Sequence, residues 1–169
     1  QSHLWDQMMF INKSGKTALR FALAAYGVND PSPATLREHL AGIAAAEMET
    51  YVYHELGELQ DRVFDRRLWQ EMISAFPHSP VELLLRSLKD LLADTGARGR
   101  LPYIVRERRT ASLALYVAFC DGLLKVLFPE LRSAFEAFLQ SRDWNVIEQA
   151  VSAGYATAKR VAEQASRIY

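Results

Sequence analysis

The chain has 169 residues, half of them apolar and 24% charged, with 20 basic against 20 acidic side chains. That size and composition suit one compact domain with a core of its own, and they exclude a disordered chain and a strongly basic nucleic-acid binder. A single cysteine, Cys120, excludes an internal disulfide framework and a multi-cysteine zinc cluster and fits a cytoplasmic compartment.

Gln1-Ser2-His3 look like the stub of a removed tag, so the domain is expected to span 4–169. From Leu4 to Tyr26 apolar residues recur at helical spacing, with a polar patch around Gly15 and a stop at Gly27. Within that patch Ser14-Gly15-Lys16-Thr17 copies the end of a phosphate-binding loop. Phe10 stands where the loop's first glycine belongs, and no parallel sheet is on offer, so a polar patch in a helix or loop is the better reading.

Ser32 and Pro33 open the second helix as N-cap and first helical residue. The second helix is expected to run to about Arg67, with Leu36, Leu40, Ala44, Met48, Val52, Leu56, Leu59 and Val63 as a stripe facing the core. Asp65 to Phe76 continue as a helix, directly or after a kink. Ser79, Pro80 and Glu82 form a capping box for a helix that Gly96 closes. Tyr103 to Phe128 read as one long central helix stopped by Pro129. A further helix follows with Leu131, Phe135, Phe138 and Leu139 inward, and Asp143 caps a final helix ending near Ile168. No segment reads as a strand, and no apolar run reaches the roughly eighteen residues of a membrane span, because Asp121 and Lys125 interrupt Leu113 to Phe128. The expected fold is all-α, a single-domain bundle of about six helices, with neither nucleic acid nor membrane as a partner.

The densest ligand-type chemistry lies on the second helix. His39, Glu47, Tyr51, His54, Glu58 and Asp61 recur at spacings that return near one azimuth, at the flank of the apolar stripe. Carboxylates and imidazoles placed that way build two-metal sites in helix bundles. His54 and Glu58 are the expected direct ligands, Glu47 a bridge or proton acceptor, Tyr51 a hydrogen-bond partner beside the cofactor, and His39 and Asp121 further metal donors, with Glu107 and His78 also available. Iron or manganese is favoured over zinc for a carboxylate-rich, thiol-free set. The competing reading is a solvated face on which Glu58 pairs with Arg62 one turn on. His54-Glu55-Leu56-Gly57-Glu58 also comes within one residue of the zinc-protease motif, but lacks its second histidine.

Gly57, inside a long helix, costs about 1 kcal/mol relative to alanine and implies close approach of another helix. The small residues Ala111, Ala114, Ala118 and Gly122 nominate the central helix, which would carry Asp121 toward His54; alternatively, Asp121 simply pairs with Lys125. Cys120 reads as a core residue, and the clusters Arg66-Arg67, Arg98-Gly99-Arg100 and Arg106 to Arg109 as solvated charges. The sequence assigns no reaction, substrate or small-molecule ligand. A second functional class is a non-catalytic ligand-sensing or interaction domain that forms a homodimer through an apolar face of the last helix, Val151, Tyr155, Ala158, Ala162 and Ala165.

Overall fold

The computed structural model describes residues 13–169, which are all-α with no strand. The tag-like Gln1-Ser2-His3 and the expected first helical turns from Leu4 lie outside the described residues. Nine helices follow in order among those described: α1 (Lys13–Ala25), α2 (Pro33–Gln60), α3 (Arg66–Ala75), α4 (Pro80–Thr95), α5 (Arg100–Arg106), α6 (Thr110–Phe119), α7 (Gly122–Leu127), α8 (Glu130–Ser141) and α9 (Trp144–Ile168). The number exceeds six because two expected long helices are divided. Ser14 to Thr17 lie in the first turns of α1, so the phosphate-loop fragment is helical.

The expected caps form. Ser32 Oγ accepts from the Thr35 N–H at 3.3 Å, Ser79 Oγ from the Glu82 N–H at 3.2 Å, and Asp143 Oδ1 from the Asn145 N–H at 3.0 Å. Glu82 reaches back to the His78 N–H at 2.7 Å, one residue earlier than the usual capping-box partner. Gly27, at φ 81°, ends α1 in the left-handed region.

α2 stops at Gln60 and not at Arg67, because two aspartates capture the backbone. Asp61 accepts from the Val63 N–H at 2.9 Å, and Asp65 from the Arg67 and Leu68 N–H groups at 3.0 Å each, as the N-cap of α3. The Tyr103 to Phe128 segment breaks twice. Arg108 takes φ 54° and Gly122 φ 57°, and Asp121 restarts the chain by accepting from the Gly122 N–H at 2.8 Å. Gly122 serves this break and does not pack against another helix; a Cβ there would meet nothing within 4 Å.

Two buried helices organise the rest. α6 carries an unbroken buried run from Ser112 to Ala118 and packs on α1, α5 and α8. α4 buries Leu85, Leu88, Leu91 and Leu92 between α2 on one side and α9 on the other. The α9 stripe proposed for self-association is turned into this core: Val151, Ala158 and Ala162 are buried, and Tyr155 and Ala165 pack against them.

α2 is oriented opposite to expectation. Leu40, Ala44, Met48, Val52 and Leu59 are exposed, Met48 at 63% and Leu59 at 72%, whereas Glu47, Thr50 and Gly57 are its buried residues. The close approach at Gly57 is real but its partner is α4: a Cβ on Gly57 would lie 2.1 Å from the Ala93 carbonyl oxygen. A Cβ on Gly99 would meet the same oxygen, also at 2.1 Å, so the Ala93-Asp94 backbone is approached closely by two glycines.

Two glycines of α2 should therefore respond in opposite directions. Gly57→Ala drives a Cβ into main-chain atoms that cannot rotate away, and is expected to lower stability by about 1–3 kcal/mol despite alanine's better helix propensity. Gly42→Ala, with nothing within 4 Å of the added atom, should raise it by about 0.5–1 kcal/mol. Urea unfolding of the two variants checks this, and a stabilised Gly57→Ala would contradict the packing.

Candidate functional site

The inward face of α2 carries two polar clusters. The upper one centres on Glu47, 4% exposed. Its carboxylate accepts from the Tyr26 hydroxyl of the α1 C-terminus, from Ser112 Oγ of α6 at 2.6 Å and more distantly from Thr50 Oγ1 at 3.4 Å. Burial first, and the Glu47 carboxylate second, push the Tyr26 phenol up to about 12, so the hydroxyl remains a donor. Arg109 closes the cluster. It donates to Ser112 Oγ at 3.1 Å, to the Tyr103 hydroxyl at 2.9 Å and to the Ala46 carbonyl, while Tyr103 donates to Glu49 at 2.5 Å.

The lower cluster lies two turns further along, where α2 meets α4. His54 Nδ1 is 2.8 Å from Asp94 Oδ1, and the other oxygen of Asp94 accepts from the Tyr116 hydroxyl at 2.8 Å. Asp94 is buried and His54 half-buried. With Nδ1 held by a carboxylate as a donor, the ring presents Nε2 as its free acceptor, the arrangement that orients a metal-binding or proton-accepting imidazole. A ring nitrogen of His54 and one oxygen each of Glu55 and Glu58 lie within 4.8 Å of one another. Glu58 also forms an ion pair with Lys89 at 2.5 Å, and the Lys89 ammonium rests over the Trp69 ring, 4.1 Å from its centroid. Beside them opens a cleft of about 500 Å³ bordered by Glu55, Glu58, Arg62, Arg66, Trp69 and Lys89.

His54 and Glu58 are thus together, and the other anticipated site residues are elsewhere. Glu47 belongs to the upper cluster. His39 lies about 22 Å further along the helix axis and bonds the Thr35 carbonyl through Nδ1 at 2.9 Å. Asp121 is exposed and caps α7. Tyr51 is exposed at the flank of this face, with the Arg100 guanidinium 4.6 Å from its ring centroid and also 5.3 Å from that of Tyr116. Glu58 pairs with Lys89 across helices in place of Arg62, which donates to the carbonyls of Leu59 and Asp61. Arg100 and Arg109 are accordingly parts of the α2 interface and not merely solvated charges. Cys120 is buried, and burial pushes its thiol up to about 11, as a core cysteine requires.

The carboxylate that reaches His54 is Asp94, which sequence reasoning did not nominate. A signal was present: an acid in the last turn of α4, within Leu91-Leu92-Ala93-Asp94-Thr95, sits unfavourably against the helix dipole and interrupts an apolar run.

The full chain, residues 1–169, matches a family model described as the C-terminal domain of a family of unknown function, DUF6866. No curated protein and no solved structure matches it. No described helix is long and apolar enough to cross a membrane.

The His54 site has a definite pH signature. The hydrogen bond to Asp94 is the largest influence and raises the His54 pKa above the usual 6.5, against the opposing effect of burial; Asp94, Asp90 and Glu55 add charge in the same direction. Protonated His54 is therefore favoured in the folded chain. Its stabilising contribution is complete below about 6.5, the unfolded value, and is lost as pH rises through the higher folded value. The stability difference between the wild type and His54→Gln is expected to be largest in acid and to shrink above neutrality. Urea midpoints from about pH 5 to about pH 9 test the sign, and a difference that grows toward alkaline pH would contradict it.

Proposed function

We propose that this chain, which belongs to the DUF6866 family as its C-terminal domain, binds a divalent cation through His54, Glu55 and Glu58. The observation that carries the reading is the Asp94 contact to His54 Nδ1. Metal-ligating histidines characteristically donate their second ring nitrogen to a carboxylate, which fixes the tautomer and raises the basicity of the ligating atom. Asp94 is itself held by Tyr116, so the imidazole is oriented from a buried, hydrogen-bonded base. Glu55 and Glu58 supply oxygen donors at the exposed side.

The donor set is one nitrogen and two carboxylates without sulfur, which suits iron or manganese better than zinc. Three protein ligands leave positions for water or a substrate from the adjoining cleft. Lys89 sets a condition on entry: its ammonium occupies the Glu58 carboxylate, and a cation must displace it. The Trp69 face already beneath Lys89 offers the ammonium a place to remain after Glu58 is released.

Titration calorimetry with Mn²⁺ on chelator-stripped protein tests the reading. The wild type should bind one ion per chain, more tightly as pH rises, because the proton competes for His54. His54→Ala should abolish binding, Glu58→Gln weaken it, and Asp94→Asn, which leaves the ligands in place, reduce affinity about 10- to 100-fold. Lys89→Met should tighten binding severalfold. Binding that survives His54→Ala unchanged would remove the proposal.

A further inference from the structure

The outer face of α2 carries a second message. Arg37, Ala41, Ala44, Met48, Tyr51 and Glu55 are all exposed, and they follow a 4-3-4-3-4 spacing, the seam of a coiled coil. Leu40 and Val52, each about half exposed, flank it. The seam runs about 27 Å along the helix. Ala41, Ala44, Met48 and Tyr51 form a continuous exposed apolar row on the flank of the buried polar face, and such a row marks an interaction surface and not incidental surface hydrophobicity.

From this register we infer that α2 pairs antiparallel with α2 of a second copy of this chain. Laid antiparallel about a two-fold axis, the seam closes on itself in three layers, each made twice. Ala44 of one copy faces Met48 of the other, Ala41 faces Tyr51, and Arg37 faces Glu55. The two inner layers match a small side chain with a large one, so the helices approach closely without voids. The outer layer matches a guanidinium with a carboxylate, and among the described residues neither Arg37 nor Glu55 has an ion-pair partner inside the chain. A parallel pair would instead stack Arg37 on Arg37 and Glu55 on Glu55, so charge selects the antiparallel arrangement. The contact is isologous, as a two-fold dimer requires. It differs from the last-helix face, which the fold buries. A carboxylate has two oxygens, so Glu55 can serve a neighbouring guanidinium and a cation together, and the pairing does not depend on metal.

Analytical ultracentrifugation of the full chain in the presence of a chelator tests the inference separately from the cation reading. The wild type should sediment at twice its 19.2 kDa mass, and Met48→Glu should be monomeric with an unchanged helical circular-dichroism spectrum. Arg37→Glu and Glu55→Arg should each weaken the dimer at least tenfold, and the double swap should restore it. As a control, Val126→Glu, at an exposed site on α7, should leave the dimer intact. A monomeric wild type would overturn the inference and leave the ridge to a different partner. A dimer indifferent to Met48→Glu, or a double swap that fails to restore pairing, would equally overturn it.

Discussion

A buried carboxylate holds α2 to the rest of the molecule. Glu47 draws hydroxyls from α1 and α6 onto one side chain, and a buried charged group without such partners would be prohibitively costly. This requirement sets the rotation of the helix. With Glu47 inside, Thr50, His54 and Gly57, about one, two and three turns along on the same side, also face inward, and Met48, Val52 and Leu59 are left facing out. The polar and apolar faces of α2 are thereby exchanged relative to an ordinary surface helix. Both the candidate cation site and the outward seam follow from that one rotation.

The second constraint is steric and positions the chemistry along the helix. Gly57 and Gly99 let main chain approach the Ala93 carbonyl closer than any side chain would allow. Asp94 is the next residue, so the close approach delivers its carboxylate to His54, and Tyr116 of α6 holds it from behind. Between α2 and α5, Tyr53 stacks on Tyr103 at 4.0 Å, and the Arg106 guanidinium lies 5.4 Å from the centroid of each ring.

Much of the scaffold was legible in the sequence because caps are local. Ser32, Ser79, Gly96 and Asp143 were readable since their effect on the backbone depends only on residues a few positions away. The breaks at Arg108 and near Asp121 are not legible, because arginine carries no preference for the left-handed region, and a glycine such as Gly122 serves a close approach and a turn equally well. The end of α2 was available in the Asp61 and Asp65 pair but was outweighed by the apolar row beyond it. At the site, the proximity of His54 and Glu58 is legible because both lie on one helix, one turn apart. Asp94 and Lys89 come from a different helix, and only the Gly57–Ala93 contact selects them. The outward turn of the apolar row was hidden for a related reason: periodicity defines a face but not its direction, and the buried partners of Glu47 lie 21 and 65 residues away in sequence.

The dependence of α2 on the Glu47 junction is open to direct measurement by amide hydrogen exchange on Glu47→Ala. Removing this acceptor leaves the buried Ser112 hydroxyl and the half-buried Tyr26 hydroxyl without it, a loss on the order of 3 kcal/mol. The account predicts that amides from Pro33 to Gln60 lose protection while those of α4 and α9, packed on each other through Leu85 to Leu92, retain theirs. Unchanged protection in α2, or an equal loss in every helix, would contradict it.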